Sequence, residues 1–128
     1  MRIRTFLSLN AVVGLAFGII LLFVPGYLLD LNGIHADAAA IMIARLFGAE
    51  FIGFNIVTWR ERNDEGAPGQ RLVVIGHAVS ESLGFIITLI SRLSGLGNDL
   101  FWGIVGAYLL FALGYVYFYT RMTERGSS

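Results

Sequence analysis

Gly76-His77-Ala78-Val79-Ser80-Glu81-Ser82 sits inside an otherwise apolar run from Leu72 to Leu93. On a helix, His77, Ser80, Glu81, Gly84 and Thr88 fall at i, i+3, i+4, i+7 and i+11, one polar stripe on an apolar rod. The run would rise ~33 Å as a helix, enough to cross a hydrocarbon layer of ~30 Å. A histidine and a carboxylate at that depth need other groups to face them. The stripe therefore predicts neighbouring transmembrane helices.

Working outward, three further apolar runs supply those neighbours: Phe6 to Val24, Ala38 to Trp59 and Leu100 to Tyr119. The first follows Arg2 and Arg4 as a signal peptide would. It is longer than a typical signal core, and no A-x-A-type site lies within the few residues that follow it, so it reads as an uncleaved first helix. The whole chain, residues 1–128, reads as a single integral membrane domain with an apolar share of 56% and a mean hydropathy of +0.73. The expected fold class is all-α, an up-down four-helix transmembrane bundle with short connections. Tyr27 to Asp37 reads as an exit segment with a turn at Asn32-Gly33, and Asp37 suits a helix N-cap. Arg60 to Arg71 and Ser94 to Asp99 read as the other connections. Gly126-Ser127-Ser128 has the composition of an appended tail.

All nine basic residues are arginine, and they are placed asymmetrically. Arg2, Arg4, Arg60, Arg62, Arg71, Arg121 and Arg125 flank one side of the expected bundle, whereas only Arg92 lies near the other. The positive-inside rule then puts the N- and C-termini in the cytoplasm of a multi-pass protein of the cell inner membrane. Trp59, Tyr117 and Tyr119 mark one interface, with Tyr27 and Trp102 at the other.

Several classes are disfavoured. No basic stripe with interleaved aromatics lies outside the apolar runs, so no nucleic acid partner is expected. Cysteine is absent, which removes disulfides and thiol chemistry. His35 and His77 have no third ligand at metal-site spacing, so neither a metal nor another cofactor is expected.

The candidate chemistry lies in the charges within the runs. Arg45, Glu50 and Glu81 would each cost ~2.5–3.5 kcal/mol unpaired at a bilayer centre. Glu50 and Glu81 are each 12 residues from one end of their helices, ~18 Å deep, with Arg45 ~7 Å away in depth and His77 one turn from Glu81. The expectation is that all four turn inward and that Arg45 meets a carboxylate. Glu50 lies ~140° around the helix from Arg45, so this helix would offer polar groups to two neighbours. Gly14 and Gly18 form a small-xxx-small pair, with Asn10 one turn before. Such a pair serves close packing within the bundle or, alternatively, a homo-oligomer seam.

Ala44-Arg45-Leu46-Phe47-Gly48 followed by Gly76-His77-Ala78-Val79-Ser80-Glu81 resembles the A-R-x-F-G and G-H-x-x-S-E pair of the eukaryotic ergosterol-biosynthesis membrane scaffold family. It is similar, too, to uncharacterised small bacterial four-helix membrane proteins of the same layout. The resemblance covers roughly Ala38 to Leu93. It implies a non-enzymatic partner for membrane enzymes, with Arg45, Gly48, His77, Ser80 and Glu81 as its signature. Glu50 and the arginine-rich loop depart from that pattern.

Three functional readings follow. The first is a membrane protein that scaffolds membrane enzymes or binds a membrane lipid or isoprenoid-like ligand. The second is an intramembrane acid–base enzyme, an isomerase or proton-initiated cyclase acting on an isoprenoid or sterol-like substrate. There Glu81 or Glu50 would donate a proton, His77 relay it and Arg45 tune both. The third is a small transporter. A pocket of a few hundred Å³ beside the carboxylates would favour a ligand or an enzyme over a structural staple.

Overall fold

In hydrocarbon every backbone N–H and C=O must bond within its own segment, and the four apolar runs satisfy this as helices. A computed structural model describes residues 1–126 as all-helical: α1 (Ile3–Phe23), α2 (Pro25–Leu31), α3 (Ala38–Glu61), α4 (Pro68–Leu93) and α5 (Phe101–Gly126). All but α2 are long and apolar enough to cross a membrane, so this is a membrane protein. Large apolar side chains such as Phe23, Leu72, Leu93 and Leu110 stay exposed around its circumference.

The boundaries depart from the expected ones where local chemistry extends a helix past its apolar run. Pro68 takes the first position of α4, where its missing N–H is no loss, so α4 begins before Leu72. The helix former Met122 and the charged Glu124 and Arg125 carry α5 on to Gly126 rather than ending it at Tyr119. Pro25 likewise opens α2 in what reads by sequence as an irregular exit. Asp37 does cap α3, its carboxylate accepting from Ala40 N at 2.8 Å.

The helices associate as two pairs, α1 with α3 and α4 with α5. Small residues set the first pair. A Cβ on Gly48 would stand 2.7 Å from the Gly18 carbonyl oxygen and 2.8 Å from Leu22 N, so backbone meets backbone there. Gly14 lies against the Asn55 side chain. Gly14 and Gly18 are thus covered by α3 of the same chain, which is the close-packing role.

The two pairs join at the arginine-rich end. Ile3, Phe6 and Leu7 of α1, Val73 and Val74 of α4 and Tyr115 of α5 form the buried core. Phe6 packs edge-on to Tyr115 at 4.8 Å between ring centroids. At the opposite end the contact is a polar latch. Asn98 N donates to Asn32 O at 2.8 Å, and Asn98 Nδ2 donates to Leu31 O at 3.1 Å. Gly97, at φ +76°, brings the turn within reach of that carbonyl. Joined at both ends, the pairs stand apart between.

Candidate functional site

The space between the pairs is a cavity of about 480 Å³. Its walls are apolar: Phe17 and Leu21 from α1, Phe47 and Phe51 from α3, Ile104 and Phe111 from α5. Asn10, Asn55 and Glu81 reach it toward the joined end, Thr88 and Tyr108 lie further along, and Asn32 and His35 border it at the latch end. The end of the cavity near the latch is roofed by Leu28, Leu29 and Asn32 of the α2 segment. Ile43 and Phe47 line it and are themselves 61% and 44% exposed, so it reaches the outer surface along α3.

Behind Glu81 sits His77, buried at 2% exposure. Its ring lies between Phe54 (4.2 Å between centroids, 24° between planes) and Tyr115 (4.6 Å, 14°), a three-ring stack across α3, α4 and α5. Gly76 permits this: a Cβ there would lie 3.0 Å from the Phe54 ring. One turn past Glu81, Gly84 does the same for the Tyr108 ring, which lines the cavity.

The hydrogen bonds around the histidine favour one tautomer. The Asn10 amide nitrogen donates one hydrogen to Asn55 Oδ1 at 3.0 Å and directs its other to His77 Nε2 at 3.3 Å. Asn55 in turn donates to Phe51 O. Nε2 is then the acceptor, and Thr58 Oγ1 at 2.8 Å shares its proton between Nε2 and Phe54 O. With the Asn10 amide nitrogen turned to Nε2, this arrangement favours the ring proton on Nδ1. Nδ1 has no conventional hydrogen bond among the described residues; its near neighbour is Glu81 Oε1 at 3.4 Å. One carboxylate oxygen pair therefore faces both a histidine N–H and an apolar cavity.

The stripe on α4 is thus real, with one correction. His77 and Glu81 are buried and Thr88 reaches the cavity, but Ser80 is exposed. Its hydroxyl turns back to His77 O at 3.4 Å. The structure also separates Arg45 and Glu50 from the cluster. Both are exposed on α3, and among the described residues neither forms an ion pair with Glu81, His77 or each other. The expected contact of Arg45 with an internal carboxylate is overturned. The reason is azimuthal: the face of α3 turned to the rest of the chain is set by Gly48, Asn55 and Thr58, and neither charge lies on it. Asn10, Asn55 and Thr58 take their places around the histidine. Their signal in the sequence was the same as that of His77, a polar residue inside an apolar run. The Phe54–His77–Tyr115 stack had no such signal. Tyr115 is fully buried with a hydroxyl that has no hydrogen-bond partner among the described residues, a further polar atom in the same region.

Among the described residues no cluster of three His, Cys, Asp or Glu could hold a metal. The fold and site define a helical membrane protein whose buried His–Glu pair backs an apolar cavity. The chain belongs to the family described as a domain of unknown function (DUF8292), which matches residues 2–127. No curated protein and no solved structure matches it.

Proposed function

We propose that this protein is an up-down four-helix bundle of the cell inner membrane, with cytoplasmic termini, that binds a neutral, hydroxyl-bearing isoprenoid or sterol-like molecule. The observation that carries this reading is the cavity, with largely apolar walls and the buried Glu81 carboxyl reaching it toward the joined end. Its size falls within the roughly 300–1,000 Å³ of ligand pockets. The chemistry of the joined end narrows the ligand. Glu81 offers an acceptor, which suits a hydroxyl donor and repels a phosphate headgroup. That end is also ~20 Å along α4 from Pro68, a depth that suits one neutral polar group and a hydrocarbon body. The arginine asymmetry supports the orientation.

The test is native mass spectrometry from mild detergent, comparing the wild type with Ala107→Phe, which places a ring in the cavity. A co-purifying neutral lipid in the wild type, lost in the folded variant, is expected. A wild type with no bound lipid, or a variant that keeps it, refutes the reading.

One observation favours a second reading, proton transfer to or from that ligand. His77 Nδ1 is held for Glu81 alone, so the pair can pass a proton between the buried network and the cavity. Glu81→Gln would then retain the bound lipid and lose any conversion of it.

A further inference from the structure

α3 is covered on one side only, and its uncovered side has its own pattern. Ala39, Met42, Leu46, Ala49, Gly53 and Ile56 are all exposed. They recur at intervals of three and four without a break, which is the a/d spacing of a heptad seam. The side turned to the chain, at Gly48, Asn55 and Thr58, occupies the remaining positions.

Arg45 and Glu50 flank this seam. At 100° per residue they are ~140° apart, with Ala49 and Gly53 between them. In heptad terms Arg45 is at g and Glu50 at e, five residues on. That is the offset at which a g residue of one helix meets the e residue of a parallel partner, because a two-fold axis along the helices brings opposite flanks together.

We infer that the protein forms a parallel two-fold homodimer through this face of α3, in which Arg45 of each copy pairs with Glu50 of the other. Three facts converge on a second copy of this chain as the occupant. The two charges lie within a membrane-crossing helix without a partner in the described chain, and such charges need one. They complement each other at the offset a parallel copy supplies, so two symmetry-related contacts neutralise all four charges. All copies insert with the same orientation, and parallel is the arrangement the offset demands. Where the helices would cross, a Cβ on Gly53 would meet nothing within 4 Å, which leaves room for a close partner backbone.

The absence of native cysteine gives a clean test. Ala49→Cys is introduced on the seam and Leu110→Cys, 71% exposed on α5, as the control; both are oxidised in membranes. A disulfide-linked dimer of this chain is expected for Ala49→Cys and not for Leu110→Cys. Arg45→Glu or Glu50→Arg, each added to Ala49→Cys, puts like charges at both contacts. Each should lower association about tenfold or more. The exchange R45E/E50R should restore the crosslink, as should co-expression of the two single reversals, since their mixed dimer is again complementary. This recovery separates a broken interface from a misfolded chain. Equal crosslinking at both sites, no loss on single reversal, no recovery on exchange, or a different protein in the crosslinked band would each overturn the inference.

Discussion

Replacing Glu81 tests the site's geometry without any knowledge of the ligand. His77 is clamped between two rings, so it cannot turn its Nδ1–H elsewhere, and Glu81 Oε1 at 3.4 Å is its near partner. Glu81→Gln keeps an oxygen there and loses only the charge. The contact is a long charge–dipole one short of a conventional hydrogen bond, so its loss should cost about 1 kcal/mol, below the ~1.5–3 kcal/mol of hydrogen bonds to charged groups. Glu81→Leu strands a buried donor at ~1–3 kcal/mol, so it should be the worse of the two. Adding His77→Phe to Glu81→Leu removes the stranded donor while keeping the ring stack. Asn10 still bonds Asn55, and Thr58 still bonds Phe54 O. That double variant should therefore recover much of the loss, although each substitution is individually harmful. The assay is reversible unfolding in mixed micelles by added denaturing detergent, followed through Trp59 and Trp102 fluorescence. Leu as stable as Gln or better, or a double variant no better than Glu81→Leu, would refute the assigned tautomer and the pairing.

Two other outcomes follow from the helix faces. Gly48→Ala should destabilise by ~1–3 kcal/mol, since its Cβ would press on the backbone of α1. Gly53→Ala, five residues on and in open space, should leave chain stability unchanged or raise it by up to ~1 kcal/mol through helix propensity; equal losses in the two would mean that α3 is rotated from its described face. A topology reporter inserted between Gly66 and Gly69 should report the cytoplasm, and activity of a periplasm-only reporter there would reverse the orientation.

How far the sequence could be read depends on which force places each residue. Apolar runs long enough to span a bilayer are unambiguous, so the four long helices were legible, and so was the i, i+4 placement of His77 with Glu81. Ser80 was misplaced because i+3 is near enough to share a stripe but far enough to leave it once the helix rotates. α2 was missed because it is only a turn or two long, although Pro25 directly after Val24 is the kind of start signal that marks one. Arg45 and Glu50 were misplaced for a different reason. The cost of an unpaired charge in lipid is certain, but it can be relieved within the chain or across an interface. Nothing in one chain's sequence says which until the covered face is known.

α3 makes the underlying physics plain. Lipid tails are as apolar as leucine, so Ile, Leu and Phe on this helix gain little by choosing one neighbour over another. Its apolar residues specify that it lies in the membrane, and its few small and polar residues specify how it is turned. Gly48 admits the α1 backbone, Asn55 reaches Asn10, and Thr58 reaches His77; together these fix the inward face. Once that face is fixed, Arg45 and Glu50 have no freedom left and must point away from the chain. The exposed charges are thus a consequence of the buried network. The side chains that hold the histidine in place also aim the two charges that a second copy can satisfy.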